Sequence, residues 1–470
     1  MRIVLVNPPV AQEALYGPVA WAAPVLPPLG LAALAAHAMR NGIHASVVDA
    51  VALRLDVEGT AAAVMERRPD AIGIGTTTVA FGRAAAVARA CRRIAPGIPI
   101  LVGGPHPTAV PEATLRDCPE IDAVVFGEGE RTLVEACGRI EAGDRVAGVR
   151  GTAWRDDGGA IVVEEARPFL PDLDALPHPA WRLLPPLATA YRQSAFGFAS
   201  LPSTYVVASR GCPSRCTFCA YEYWGRRYRQ HGVAWTIDLL RDLHRWAGIR
   251  DVAFDDAIFG AKRSWMISFC EALLRADFRL TWSCNLRVDS HDAGVLALMR
   301  EAGCWGVAFG IESGSERILE TVNKRTTPGR VAGAVAAARG AGLVTKGYVM
   351  VGLPGETEET LAETSRFVLG LDLDLLTVNH FVPYPGTVDW DRADTFGRVE
   401  GGWDVYNWHH PSFVPHGFTR ERLLLARRDL VRRFYLRPRV IARAASLARR
   451  TSALPLLARG ALGLARLLAG

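Results

Sequence analysis

The sequence predicts an α/β protein with three parts: an N-terminal doubly wound, Rossmann-like parallel sheet, a partial (β/α)6 barrel, and a helical C-terminal region. Three observations lead there. Short β-branched runs alternate with Ala-rich helical stretches over the first 140 residues. That rhythm lapses into a Pro-, Asp- and Trp-rich stretch and then resumes for six more strand–helix units. From Arg420 onward, Leu and Arg alternate at helical spacing. The parts are expected at 1–145, 146–200 (a connector draped over a surface), 201–390 and 391–470. A chain of 470 residues exceeds one ordinary core, and 50% hydrophobic with 22% charged residues is globular composition rather than disorder.

Taken in order, "RIVLVNPP" reads as the first strand and Pro28–Arg40 as a helix. "HASVVDA" is the second strand, followed by a helix over 57–67. "AIGIGTTT", the helix "RAAAVARACRRIA", and the strands "IPILVGGPH" and "IDAVVFGEGE" complete the unit. Five buried β-branched runs separated by helices imply a parallel sheet covered on both faces. Ligands of such sheets bind beyond the carboxyl ends of the strands. Small and polar residues collect there: Asn7-Pro8-Pro9, Thr76-Thr77-Thr78, Gly103-Gly104-Pro105-His106 and Gly127-Glu128-Gly129-Glu130. They read either as tight turns or as a crevice for a flat cofactor. No GxGxxG follows the first strand, so a dinucleotide site is not supported.

In the second α/β unit the apolar runs are "TYVVAS", "DVAFDDAIF", "LTWSCNLRV", "WGVAFGIES", "LVTKGYVMVGLP" and "LLTVNHFVPYP". Active sites of parallel barrels lie at the C-terminal strand ends. Those ends carry Asp255 and Asp256, Asn285 and Arg287, Glu312 and Ser313, and Gly355 and Glu356, some of which read equally as helix caps.

The first of these ends carries Cys212, Cys216 and Cys219, spaced Cys-x3-Cys-x2-Cys. A structural zinc site needs four ligands, and no second pair lies nearby. Three thiolates anchor three corners of an iron–sulfur cube and leave the fourth iron open, which the spacing supports. The other six cysteines, Cys91, Cys118, Cys137, Cys270, Cys284 and Cys304, stand alone and read as small core hydrophobes. Cys284 and Cys304 have an alternative as thiols facing the barrel mouth.

"RGCPSRCTFC" resembles the cluster loop of radical S-adenosylmethionine (SAM) enzymes, including the aromatic Phe218 before the third Cys. That resemblance implies a [4Fe-4S] cluster on the three cysteines, with SAM chelating the free iron. It also implies a 5′-deoxyadenosyl radical that abstracts hydrogen, and an electron donor such as flavodoxin or ferredoxin. "FDDAIFG" is similar to the second-strand element, which implies Asp255 and Asp256 at the SAM amino group; the Gly-Gly-Glu of many relatives is absent. "FGIESGS" and "YVMVGLPGET" resemble the fourth- and fifth-strand elements. They imply Glu312 and Ser313 near the ribose or amino acid part, and the Val351-Gly352-Leu353 backbone near the adenine. "VNPP", "GTTT", "GGPHPTAVPEATL" and "DAVVFGEGE" together look like the cobalamin-binding domain of one large radical SAM class. This puts Pro8, Thr76, Thr77, Gly103, Gly104, Gly127, Glu128 and Gly129 against cobalamin. The Asp-x-His-x-x-Gly signature is missing, and His106 is the nearest alternative cobalt ligand.

The net charge of +6 is uneven: from Arg420 to Gly470 thirteen Arg oppose only Glu421 and Asp429. One reading is a helix packed on the barrel with a solvated basic face. A second is attachment to an anionic membrane surface. Nucleic acid is not expected, because no reading motif or aromatic platform accompanies the arginines. The N-terminus "MRIVLVNPPV" is too short and too early for an export signal, and no run of about twenty apolar residues appears. The expected compartment is the cytoplasm, with peripheral contact at the inner membrane face. The resemblance implies methylation of an unactivated carbon of a small or lipid-like substrate, using two SAM molecules in turn. The alternatives are cyclisation, rearrangement or hydroxylation with the same cofactors, and a non-catalytic cobalamin or iron sensor. Tyr221, Tyr223, His380 and Tyr384 are the candidate acids and bases near the mouth.

Overall fold

The computed structural model describes residues 1–16, 20, 23–192 and 197–450. The expectations for residues 451–470 of the basic tail, and for the side chain of Tyr221, lie outside what is described.

Seven strands form the first sheet: β1 (Arg2–Asn7), β2 (His44–Asp49), β3 (Ala71–Gly75), β4 (Ile100–Gly103), β5 (Ala123–Val125), β6 (Thr152–Arg155) and β7 (Ile161–Val163), in spatial order 2-1-3-4-5-6-7. The first five are parallel. Alternation explains how the sheet holds helices on both faces: Ile3 and Leu5 join one hydrophobic cluster, Val4 and Val6 the other. The crossover helices fall where Ala-rich stretches predict them, at Leu29–Arg40, Val57–Met65, Phe81–Ile94 and Gly129–Glu141. Asp56 starts one of them by accepting the Gly59 N–H at 2.7 Å.

The expected connector is corrected at its start. β6 pairs antiparallel with β5, and β7 antiparallel with β6, so the first sheet is mixed. Asp156-Asp157-Gly158-Gly159 turns the hairpin, with Gly159 at φ +80° and Asp156 Oδ1 accepting the N–H groups of Gly158 and Ala160.

Six parallel strands follow as a half-barrel, in sequence order from one edge to the other: Ser203–Val206, Asp251–Phe254, Thr281–Leu286, Cys304–Glu312, Val344–Val351 and Leu375–His380. Their period-two burial separates two faces. In the fifth strand Thr345, Gly347, Val349 and Val351 are buried, while Lys346 and Tyr348 are only partly so. Outside the second and third strands, Phe254, Phe259, Phe269 and Trp282 pack edge to face.

The C-terminal region is helical at Arg420–Tyr435 and Pro438–Arg450, with an antiparallel pair, Gly397–Val399 and Phe413–Pro415, before them. Leu423, Ala426, Leu430 and Phe434 bury one stripe of the first helix. The Tyr435 hydroxyl bonds both the N–H and the carbonyl of Leu376 on the last barrel strand. Many guanidiniums are used internally: Arg427 donates to the Val378 carbonyl, Arg437 to Leu369, and Arg443 to Asp372. Among the described residues no helix is long and apolar enough to cross a membrane.

Candidate active site between two cofactor cavities

The first barrel strand delivers the chain to Ser209–Arg210, which pairs antiparallel with Arg229–Gln230 and closes residues 211–228 into a loop. Gly211 holds φ +80°, and a Cβ there would stand 2.4 Å from the Arg227 carbonyl, so the close approach requires glycine. Tethers fix the loop. The Cys212 N–H donates to Gly225 O, Thr217 N–H to Val322 O, and the Thr217 hydroxyl to Asp389 at 2.9 Å. Asn323 reaches the Arg215 carbonyl and Arg287 the Ser214 hydroxyl, at 2.8 and 2.6 Å.

Cys212, Cys216 and Cys219 line one cavity of about 250 Å³ with Phe218, Asn285, Arg287, Glu312, Lys324 and Tyr348. They are partly exposed, whereas the other six cysteines, Cys284 and Cys304 included, are buried. Among the described residues no three His, Cys, Asp or Glu side chains converge to hold a single ion. A cube asks for something else, one thiolate on each of three irons, and three accessible thiols around one cavity supply that donor set. Burial holds the Cys216 thiol above its ordinary value, opposed by the nearby Lys324 ammonium.

Glu312 ends the fourth strand at φ +63° beside a register shift, and its Oε1 accepts from Lys324 Nζ at 2.6 Å. Gly310 leaves room for this pair; a Cβ there would lie 2.4 Å from the carboxylate and 2.8 Å from the ammonium. Lys324 stands 5.9 Å over the Phe218 ring. Sequence reasoning missed Lys324, which lies in no recognisable element, and passed over Tyr348, which opens the fifth-strand element; period-two placement in "LVTKGYVMV" was the available signal for Tyr348.

A larger cavity, about 690 Å³ and mostly apolar, opens between the carboxyl ends of the first sheet and the barrel mouth. Asn7, Gly75, Thr76, Thr77, Gly103, Gly104, Gly127 and Gly129 line one side, and Val206, Arg210, Trp224, Asp255 and Asp256 the other. Gly104 has φ +112°, and a Cβ would meet the Thr76 carbonyl at 2.5 Å, so the turns after β3 and β4 touch only because this residue is glycine. A broad floor of glycines and threonines at strand ends, in the 2-1-3-4-5 order whose reversal point binds ligands, fits a flat cofactor such as cobalamin. Asp256 and Ala257 line both cavities, so the two meet there.

Several expected site residues lie elsewhere. His106 is fully buried outside the cavity, stacked on Phe81 at 4.4 Å and edge-on to Trp403 at 5.1 Å, because Pro105–Ala109 forms a short helix that turns its ring away. Burial lowers its pKa to about 4. Pro8 does not line the cavity. Glu128 is held by ion pairs with Arg210 and Arg229. Ser313 is buried against Thr364, with hydroxyls 2.8 Å apart, away from the cysteine cavity. Val351 and Leu353 are core residues, and Gly352 donates its N–H to Glu356 at 2.5 Å. The aspartates separate. Asp255 faces the larger cavity, and burial raises it to about 6 against the pull of Lys346. Asp256 accepts the Ala208 N–H at 3.1 Å and the Ser209 hydroxyl, and burial raises it to about 7. Tyr223, His380 and Tyr384 line neither cavity; the two tyrosyl hydroxyls donate to the carbonyls of Pro385 and Tyr406.

Fold and site define a two-cofactor enzyme: a nucleotide-type sheet set against a half-barrel whose first strand end carries three accessible thiols. The comparisons with known proteins agree. Residues 18–136 match the B12-binding domain family and residues 206–368 the radical SAM superfamily. An uncharacterised methyltransferase of Pyrococcus horikoshii is 34% identical over 443 residues, 94% of each chain. An anaerobic magnesium-protoporphyrin IX monomethyl ester cyclase of Rubrivivax gelatinosus is 29% identical across 87% of this chain and 74% of its own. The radical SAM methyltransferase TsrM of Kitasatospora setae, solved with cobalamin and a [4Fe-4S] cluster, superposes with TM-score 0.67 at 20% identity, covering 84% of this chain and 75% of that one. The chain belongs to the cobalamin-dependent radical SAM enzyme family, and its cofactors are a [4Fe-4S] cluster, SAM and cobalamin.

Proposed function

We propose that the enzyme methylates an unactivated carbon of a lipid-like or natural-product intermediate. The observation that carries this reading is the meeting of the two cavities at Asp256 and Ala257. A substrate carbon held beside this shared wall would lie between the cysteine cavity, whose cluster and SAM would supply a radical when bound, and the larger one, whose cobalamin would supply a methyl group. Cys212, Cys216 and Cys219 hold the cluster. Glu312, Lys324 and Arg287 offer opposite charges to the amino acid part of SAM, and Phe218 and Tyr348 offer it apolar walls. Thr76, Thr77, Gly103, Gly104, Gly127 and Gly129 seat cobalamin. The enclosing residues orient the reactants and exclude water, leaving the hard chemistry to the cofactors. An electron donor of the flavodoxin or ferredoxin type would supply the electron that the bound cluster needs.

Support comes from the methyltransferase names of relatives, including a hopanoid C-3 methylase of Methylococcus capsulatus, 28% identical over 78% of this chain. A lipid-like substrate accords with the exposed Leu424, Leu425 and Ile441 on the basic C-terminal helices and Leu436 in the turn between them, which we propose touch an anionic membrane surface. The likeness to the Rubrivivax cyclase favours a second reading, ring formation with the same cofactors. Incubation of reconstituted enzyme with SAM and reductant separates them. Methyl transfer predicts cobalamin-dependent release of S-adenosylhomocysteine; its absence, with 5′-deoxyadenosine still formed, supports the cyclase reading instead.

A further inference from the structure

The wall of the larger cavity and the cluster loop share one buried charge cluster, placed at the neck of the loop. Arg210 and Arg229 stand directly opposite each other on the short ribbon that closes residues 211–228. Like charges facing across a ribbon destabilise it. Both guanidiniums turn to Glu128: Arg210 donates to Oε1 at 3.1 Å, and Arg229 Nη1 spans both carboxylate oxygens at 2.9 and 3.0 Å. Arg210 donates in addition to Glu130 Oε1 at 2.5 Å. Arg229 completes its bonds on the carbonyls of Leu170 and Trp224. None of the four side chains is more than 17% exposed. Burial alone raises the Glu130 carboxyl, and Arg210 outweighs it, leaving the group below its ordinary value.

These acids alternate with Gly127 and Gly129 on the turn after β5, and both glycines line the larger cavity. On the other side, Cys212 lies two residues beyond Arg210. One turn thus offers Gly127, Gly129 and Glu130 to the cavity, and the carboxylates of Glu128 and Glu130 to the neck of the cluster loop.

We infer that Arg210, gripped by Glu128 and Glu130, is a positioning residue that couples the two cofactor sites. A ligand seated against the turn firms it, and the firm turn holds the loop neck closed around the cysteines. Linkage then requires the cluster to strengthen cobalamin binding by the same factor that cobalamin strengthens cluster retention.

The test compares the full chain with a reconstituted cluster and after removal of iron by chelation. Hydroxocobalamin is titrated into each and followed by its visible absorbance. The expected dissociation constant is roughly tenfold lower with the cluster present, within the usual range of coupling between sites. Glu130→Gln keeps the shape and leaves Glu128 to neutralise the arginines; its ratio is expected to fall below about threefold. Arg210→Lys is the second variant, because a single ammonium nitrogen lacks the rigid planar fork whose two nitrogens reach Glu128 and Glu130 separately, and it is expected to behave alike. A purely structural role lowers the melting temperature or weakens both affinities without changing their ratio. Equal affinities in the unaltered chain, or an unchanged ratio in whichever variant folds, overturns the inference. Because binding is read without turnover, the result does not depend on methyl transfer being the reaction.

Discussion

Cys216, partly exposed after the first barrel strand, and Glu356, buried after the fifth, show how differently two titratable groups serve the strand ends. Cys216 opens on the cavity it shares with Cys212 and Cys219. Cys216→Ala is expected to remove the brown cluster absorbance and abolish 5′-deoxyadenosine formation while the chain still folds; retention of both contradicts its role. Glu356 has one oxygen on the Gly352 N–H and the other without a partner, and burial raises its pKa from 4.5 to about 8. The sign follows from linkage: a carboxyl that binds its proton more tightly when folded gives stability that is full below about 4.5 and lost as pH rises towards 8. Thermal melts across that window are expected to show a falling midpoint for the native chain and a flatter profile for Glu356→Gln. Equal slopes refute the assignment.

Turns and strand ends, more than strands, decide what the elements deliver. At Gly104 an added Cβ meets the Thr76 carbonyl, and a left-handed φ adds strain of roughly 1–3 kcal/mol for other residues. Gly104→Ala is expected to weaken hydroxocobalamin binding at least several-fold with the cluster still assembling, as iron content and absorbance report; unchanged affinity contradicts the cradle. The strands themselves were legible in the sequence because period-two and β-branched runs are local signals, and the cysteine loop because its spacing and neighbours are specific. The β6–β7 hairpin had a legible signal too, in Asp-Asp-Gly-Gly, but the Pro-rich stretch after it masked the change from parallel to antiparallel pairing. Side-chain direction was not legible. His106, Ser313 and Glu128 sit in the right turns and point away from the cavities, since stacking on Phe81, a hydroxyl pair with Thr364 and two arginines decide their rotamers. Lys324 enters the site from a loop after the fourth strand, a long-range contact with Glu312 that no sequence period announces.

At the scale of the whole molecule, the function rests on two α/β units opening onto each other, so that cavities built by different sheets meet at Asp256 and Ala257. The buried Glu128–Arg210–Arg229 contact fixes that arrangement. Removing one member of such a cluster leaves an uncompensated charge worth about 3–5 kcal/mol, so Glu128→Ala is expected to lower the melting temperature of the full chain more than the milder Glu130→Gln. Similar melts for the two variants contradict a shared anchor. The central claim is that a methyl group passes from SAM to a carbon of the product, and isotope tracing tests it most directly. Cells carrying the intact gene and cells lacking it are fed methionine deuterated in its methyl group, and their lipid and metabolite extracts are compared by mass. The account predicts a product, present only with the gene, that retains the full set of deuterium atoms of one added methyl. A gene-dependent product without that label contradicts it.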